Sequence, residues 1–188
     1  MTEKLKYAII GAGCMGQEHI LNIEIIDDAE VVALCDTSEK SIKESLDLLN
    51  NDVAIFDNYI DLVEANIADA FIIATPNFTH IEVLKEVMKS EAHLLIEKPL
   101  CTTVKDCQEF EKLAVDYPGV IWTAMEYRYM PPVQRMIKEI HNKTIGDLKM
   151  LSIREHRFPF LHKVDDWNRF AIKTGGTLVE KCCHFFDL

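Results

Sequence analysis

Apolar residues between Leu5 and Met125 form short runs that alternate with helix-like stretches. The runs are nearly continuous in apolar side chains, which is typical of strands buried on both faces of a parallel sheet. They predict six strands: Leu5–Ile10, Glu30–Cys35, Val53–Phe56, Asp69–Ala74, His93–Ile96 and Val120–Met125. Strands alternating with helices indicate an α/β fold, a Rossmann doubly wound parallel sheet in the order 3-2-1-4-5-6.

Helical periodicity fills the intervals between these runs. The first stretch places Met15, His19, Ile23 and Ile26 at helical spacing, so we expect that face to pack on the sheet. The other predicted helices begin at Thr37–Lys40 or span Tyr59–Ala65, Ile81–Met88 and Val104–Ala114.

The pattern changes after Pro131. One more helix precedes Leu148–His156, which alternates apolar and polar residues as an antiparallel strand does, and a loop is expected over Arg157–Thr174. We predict a first domain at 1–128 and the beginning of a second at 129–188, an α/β domain with a largely antiparallel sheet. Because one strand cannot close such a sheet, we expect the natural protein to be longer.

Composition narrows the classes of function. The 188 residues are 48% hydrophobic and carry a net charge of −11, which disfavours non-specific binding to nucleic acid or to an anionic membrane. The six cysteines have no zinc-like spacing, so we expect reduced thiols in a cytoplasmic protein. The N-terminus has too short an apolar run for a signal peptide, and we expect no membrane segment.

A glycine-rich turn follows the first predicted strand. Gly11, Gly13 and Gly16 form a G-x-G-x-x-G, in which the glycines permit a tight turn, close approach of a pyrophosphate, and packing of helix on strand. Cys14 and Met15 lie within this motif, at the start of a helix whose free N–H groups and positive dipole end favour phosphate.

An acidic residue completes this motif. Asp36 follows Gly16 by twenty positions at the end of the second strand, where a carboxylate can accept hydrogen bonds from an adenosine ribose. Thr37 comes next and no arginine adjoins it, so a 2′-phosphate would face Asp36 without a counter-charge. The sequence therefore predicts a dinucleotide site that prefers NAD to NADP.

Further polar residues follow the fourth and fifth strands. These strand ends add Ala74, Thr75, Pro76, Asn77, Glu97 and Lys98 to the expected cofactor site. His80 lies just beyond, where it either caps its helix or packs near the cofactor ribose.

Lys98 is the first candidate for chemistry. At a strand end beside a nicotinamide, its ammonium group can hold a substrate hydroxyl or carbonyl oxygen, and Glu97 can pair with it or with the cofactor. The alternative is a surface Glu-Lys pair before a proline.

Glu180 and His184 are the second candidates. They are four positions apart, so on one helix they would share a face, and the carboxylate would orient the imidazole as a general base. The alternative is a hydrogen-bonded histidine in an apolar helix. A metal site is not expected, because no third ligand stands out.

Two residues are candidates for substrate binding. Arg128, after the sixth strand, either binds an anionic or polyhydroxy substrate or forms a structural salt bridge. Trp167 either lines a pocket with Arg169 or makes an ordinary packing contact.

Taken together, these motifs resemble the Gfo/Idh/MocA family of oxidoreductases. The resemblance runs in family order through GAGCMG, ALCDTS, ATPNFTH, EKPL, EYRYMPP and TGGTLVEKCCHFFDL. It implies a Rossmann domain followed by an α/β domain built on an open sheet, in a chain longer than this one. It also implies that Lys98 is the catalytic lysine and His184 the histidine of a D-x-G-x-H stretch, in which Glu180 and Cys182 here replace the aspartate and glycine.

The sequence thus predicts an NAD-dependent dehydrogenase of a polyol, sugar or similar secondary alcohol. In this hypothesis His184, oriented by Glu180, takes the hydroxyl proton while Lys98 stabilises the developing alkoxide. Homo-oligomers formed through the second domain are expected. Two alternatives stay open: a non-catalytic NAD-binding sensor or scaffold, and an NAD-dependent glycosidase that works by transient oxidation and elimination.

Overall fold

Six parallel strands form the centre of the molecule. The computed structural model describes residues 3–156 and 162–188. Its strands are β1 Leu5–Ile10, β2 Ala29–Cys35, β3 Ala54–Phe56, β4 Ala70–Ile73, β5 His93–Ile96 and β6 Ile121–Thr123. They lie in the order β3-β2-β1-β4-β5-β6 with every neighbouring pair parallel, so the predicted sheet is confirmed. The order reverses between β1 and β4, which is where open α/β sheets form a crevice.

Helices connect the strands on both faces of the sheet. They are α1 Cys14–Glu24, α2 Glu39–Leu46, α3 Tyr59–Glu64, α4 His80–Val87 and α5 Val104–Ala114. Side chains that accept from a backbone N–H fix three of the starts: Ser38 before α2, Asn58 before α3 and Thr103 before α5. Such caps satisfy donors that the first turn of a helix leaves unpaired.

Each face of the sheet has its own core. On one face Ile10 of β1 packs with Leu84 of α4 and Phe110 of α5. On the other face Ile9 packs with Ile20 of α1. Adjacent residues of β1 thus enter opposite cores, which explains why its buried part, Ala8–Ile10, is continuously apolar rather than alternating.

The predicted buried face of α1 is confirmed at Ile23 and wrong at Met15 and Ile26. Gly16, Ile20 and Ile23 are buried, whereas Met15 is 38% exposed and Ile26 is 46% exposed and lies beyond the end of the helix. The reason is the tight contact of Gly16 with the glycine turn, which rotates that side of the helix toward β1. Met15 is consequently presented outward.

The segment after β6 is built differently. α6 spans Pro131–His141 and buries no residue fully. The strand predicted over Leu148–His156 is wrong, because that stretch is described without regular structure and its apolar residues are largely exposed. The described ranges contain no antiparallel partner that could satisfy its backbone, so the expected second sheet is not confirmed.

Short helices replace most of the loop predicted over Arg157–Thr174. Residues 157–161 of that loop lie outside the described residues. A 3₁₀ segment covers Val164–Arg169, followed by α7 Ala171–Thr174, α8 Thr177–Glu180 and α9 Cys183–Asp187. Across the described ranges, every helix is too short or too polar to cross a membrane.

Candidate functional site

The glycine turn after β1 has space only for glycine at two positions. Gly11 has a φ of +99°, and a Cβ there would lie 2.5 Å from the Ala74 carbonyl carbon. A Cβ on Gly16 would lie 2.1 Å from the Gly11 carbonyl oxygen. The glycine turn is therefore in close contact with the end of β4 on one side and with the start of α1 on the other. The positive φ by itself also disfavours any other residue at position 11.

The middle glycine of the motif faces open space instead. A Cβ on Gly13 would meet no described atom within 4 Å. Gly13 caps α1 without a side-chain bond, and the described first turn of this helix contains no acidic residue. An anion can approach the N–H groups there closely, so the cradle fits a pyrophosphate.

Asp36 is held at the end of β2 by two backbone donors. The Ala12 N–H donates to Oδ2 and the Ser38 N–H donates to Oδ1, each at 2.8 Å. A carboxylate has about four acceptor positions, so capacity for ribose hydroxyls is left. A cavity of about 360 Å³ adjoins Asp36 and Thr37. The geometry fits the predicted ribose site.

Asn77 is the clearest sign that a group belongs at the end of β4. It is buried, and its Nδ2 has no hydrogen-bond partner among the described residues. Leaving a buried amide donor without an acceptor is costly, which points to a ligand acceptor at this position. Ala74, Thr75 and Pro76 precede it along the same loop.

Both ring nitrogens of His80 contact backbone carbonyl oxygens of neighbouring loops. The residue is fully buried, with Nε2 3.0 Å from the Thr75 carbonyl oxygen and Nδ1 3.0 Å from the Pro99 carbonyl oxygen. Burial lowers its pKa below the ordinary 6.5, although these carbonyl contacts act in the opposite direction. The ring thus ties the loop after β4 to the loop after β5, and neither alternative predicted for His80 describes this contact.

Glu97 has a partner that the sequence interpretation missed. The His19 Nε2 lies 2.8 Å from Glu97 Oε1, and the backbone N–H of Lys98 donates to Oε2 at 3.2 Å. His19 and Glu97 are 78 positions apart, so spacing along the chain gives no signal of the contact. Glu97 is buried, and each of its oxygens has a donor.

Lys98 reaches across to the C-terminal segment. Its Nζ donates to the Glu180 carbonyl oxygen at 3.2 Å, and the same oxygen lies 3.6 Å from Cys183 Sγ. Burial raises the pKa of the Cys183 thiol, while the charge of Lys98 acts to lower it. The fold therefore brings the predicted lysine to the end of α8, shortly before the helix that contains His184.

Glu180 and His184 do not share a helix. Glu180 ends α8 and His184 lies in α9, with Lys181 and Cys182 between the two helices. The Glu180 carboxylate lies 3.5 Å from Lys181 Nζ. The break in the helix removes the four-residue geometry on which the predicted orientation of His184 depended.

His184 is packed against the segment that follows β6. Its ring is stacked on Tyr127, with centroids 4.1 Å apart and planes 6° from parallel. Its Nε2 lies 3.5 Å from Glu126 Oε1, so the carboxylate near this imidazole belongs to Glu126. His184 is only 1% exposed. Glu126 is a second residue that sequence reasoning missed.

The two predicted substrate residues make contacts within the protein. Arg128 Nε donates to Asp187 Oδ2 at 2.7 Å, which is the salt bridge considered as its alternative. Trp167 lies edge-on to Phe78, with ring centroids 6.5 Å apart. Both contacts join the C-terminal segment to strand-end loops, and substrate binding by either residue stays a prediction. Within the described ranges, no cluster of three His, Cys, Asp or Glu residues has the form of a metal site.

A doubly wound sheet with this glycine turn and a carboxylate at the end of β2 defines a dinucleotide-binding Rossmann protein. Comparison with family models identifies the family. Residues 5–125 match the model described as "Oxidoreductase family, NAD-binding Rossmann fold", and residues 137–188 match the family's C-terminal alpha/beta domain. The chain belongs to the Gfo/Idh/MocA oxidoreductase family, and the resemblance and the NAD cofactor predicted from its motifs are confirmed.

Individual relatives agree with the family. The chain is 26% identical to a myo-inositol 2-dehydrogenase of Thermotoga maritima over 184 residues, 98% of this chain and 53% of that protein. It is 25% identical to the WlbA dehydrogenase of Bordetella pertussis, solved with NADH and UDP-GlcNAcA, with a TM-score of 0.70 over 77% of this chain and 44% of that one. An NAD-binding protein of Listeria innocua shares the fold, with a TM-score of 0.79 at 21% identity over 98% of this chain and 53% of that one. The chain spans about half the length of the curated relatives it matches.

Proposed function

We propose that the chain supplies the cofactor site and part of the substrate site of an NAD-dependent dehydrogenase acting on a secondary alcohol of a polyol or sugar. The contact of Lys98 Nζ with the Glu180 carbonyl oxygen carries this proposal. It brings an ammonium group at the end of β5 next to the segment of His184, at the strand edge that carries the glycine turn. The inositol dehydrogenase among the relatives supports the substrate class.

The residues at the ends of β1, β2 and β4 would hold the cofactor. The pyrophosphate would lie on the N–H groups beside Gly13, the ribose hydroxyls would bond Asp36, and Asn77 Nδ2 would gain the acceptor it lacks. No arginine adjoins Asp36 and Thr37 in the sequence, which supports NAD over NADP. When bound, the nicotinamide supplies the hydride-accepting carbon.

Lys98 is the group that would meet the substrate oxygen. It is half-buried, so its ammonium can exchange the Glu180 carbonyl for a substrate hydroxyl and stabilise negative charge there. His184 is the second proposed catalytic residue and would accept the hydroxyl proton, oriented by Glu126 in place of Glu180. Because His184 is only 1% exposed, we expect a substrate to contact Lys98 first.

The remaining assignments are part of the same proposal. We place the boundary between the two domains at 128/129, between the end of the sheet and α6, and the two family models also part between residues 125 and 137. Six free thiols suit a reducing cytoplasm. The apolar residues of α6 are only partly buried within this chain, so further protein could cover them, which supports homo-oligomers through the second domain.

Fluorescence titration with NADH, combined with turnover of NAD and myo-inositol or scyllo-inositol, tests the proposal. Lys98→Met should lower turnover about a hundredfold or more, because a group that stabilises the alkoxide is lost, while the NADH dissociation constant stays within about threefold. Lys105→Met, on the exposed side of α5, is the matched control and should change neither quantity. Equal turnover in Lys98→Met would refute the role of Lys98. Tight NADH binding without turnover of any polyol or sugar would favour the non-catalytic sensor.

A further inference from the structure

The contact between His19 and Glu97 joins two parts of the cofactor edge. His19 lies in the second turn of α1, the helix that begins at the glycine turn, and Glu97 is the residue that directly follows β5. Their side chains are 15% and 8% exposed, and 2.8 Å separates His19 Nε2 from Glu97 Oε1. Since a carboxylate only accepts, the imidazole donates in this bond.

The other oxygen of Glu97 holds the backbone of the proposed catalytic lysine. The Lys98 N–H donates to Oε2 at 3.2 Å, immediately before the loop continues into Pro99. The orientation of the carboxylate therefore fixes the peptide that leads to the lysine side chain. A carboxylate bonded at one oxygen only would be free to rotate and to release that peptide.

α1 is a rigid support for this arrangement. Ile20, the next residue after His19, is fully buried in the core under the sheet, and Ile23 is also buried. The start of the helix is pressed on the turn through Gly16. His19 is therefore carried by the same element that presents the N–H groups for the pyrophosphate.

We propose that His19 is a positioning residue, which acts through Glu97 to hold Lys98 in place relative to the glycine turn. This inference rests on the proposed function, because it assigns His19 a part in the work of Lys98. The contact joins the phosphate-binding helix to the lysine, so a variant that breaks it loosens the lysine without altering the cradle for the cofactor.

Amide hydrogen exchange measures this hold directly, with an adjacent amide as an internal reference. The Glu97 N–H is bonded within the sheet to the Ile73 carbonyl oxygen at 2.8 Å, while the Lys98 N–H depends on the Glu97 carboxylate. His19→Leu should speed exchange at Lys98 by about tenfold or more and leave Glu97 within about twofold. His19→Gln retains an N–H near the Nε2 position and should restore the exchange rate at Lys98.

His141→Leu, on the exposed end of α6, is the control variant and should change neither amide. In steady-state oxidation of myo-inositol, His19→Leu should lower kcat about tenfold with the KM for NAD within threefold, and His19→Gln should recover most of it. Unchanged exchange at Lys98 in His19→Leu would overturn the inference. Equal acceleration at Glu97 and Lys98 would also overturn it, by indicating general loosening.

The two proposals fail in different ways. If the wild-type chain neither binds NADH nor oxidises a polyol, the proposed function is wrong, and the exchange of the Lys98 amide still decides whether His19 holds the loop. If turnover is normal in His19→Leu, the positioning role is wrong although the function stands.

Discussion

The sheet unit and the segment after β6 are held together by different means. From β1 to β6, every strand is paired and two cores enclose side chains such as Ile9 and Ile10. After β6, individual side-chain contacts attach the described chain to the sheet unit, among them the Lys98 bond to Glu180, the edge of Trp167 against Phe78, and Lys173 over the Phe78 ring. The cofactor half thus carries its own stability, and the half that completes the site depends on contacts with it.

The largest difference in stability is expected when the same substitution, Ile→Ala, is made in each of the two regions. Ile20 is fully buried under the sheet, whereas Ile172 in α7 is 90% exposed. Ile20→Ala should lower the free energy of unfolding by about 2–5 kcal/mol, because it leaves a cavity in packed core. Ile172→Ala should change it by less than about 0.5 kcal/mol. Urea unfolding measures both, and a comparable loss in the two variants would show that the C-terminal segment is packed as tightly as the sheet.

The next test separates stability from cofactor binding inside the glycine turn. Gly16→Ala forces a Cβ against the Gly11 carbonyl oxygen and should cost about 1–3 kcal/mol in urea unfolding, together with a loss of NADH binding. Gly13→Ala meets open space, so its unfolding should stay close to wild type while its NADH affinity falls about tenfold or more, since the methyl group occupies the pyrophosphate approach. Wild-type NADH affinity in Gly13→Ala would place the phosphates elsewhere.

The same contrast explains what the sequence could predict. Local signals define the sheet unit: the apolar run before Gly11, the helix after it, and Asp36 at the end of the second strand. They do not reveal contacts between distant residues, so the bond of His19 to Glu97 is found only in the folded chain. Alternation at Leu148–His156 resembles a strand, but a strand also needs a partner, and the described residues provide none.

The candidate site contains one residue whose position could be predicted from the sequence and another whose surroundings could not. Lys98 could be predicted because a strand end fixes its place at the edge of the sheet. The arrangement around His184 could not be predicted, because the helix breaks between Glu180 and His184. In addition, Glu126 and Tyr127, which contact the ring, come from the segment after β6.

A smaller effect on stability, one that depends on pH, is expected from His80, which contacts the loops that follow β4 and β5. Burial lowers its pKa, so the folded protein binds a proton less readily than the unfolded chain does. The stability of the wild type should therefore fall as the pH falls through the unfolded value near 6.5, and the loss should level off once the pH is below the lowered folded pKa.

Urea unfolding between pH 5 and 8 measures the stability loss expected from His80. His80→Gln removes the titrating group and should flatten the slope. His141→Gln, at an exposed histidine, should retain the wild-type slope. Stability that rises as the pH falls below 6.5 would contradict the assignment.

Substitutions at Arg128 can distinguish an anchor for the C-terminal segment from the predicted substrate role. Arg128 is half-exposed in its salt bridge with Asp187, so solvent screening limits the contribution of the pair. Arg128→Gln should therefore lower the free energy of unfolding by about 1 kcal/mol or less and leave the NADH dissociation constant unchanged. If the arginine serves only as an anchor, Asp187→Asn should reproduce its effect on stability and on the KM for myo-inositol. If Arg128 binds substrate, Arg128→Gln alone should raise that KM about tenfold, because only this variant removes the donors from the polyol.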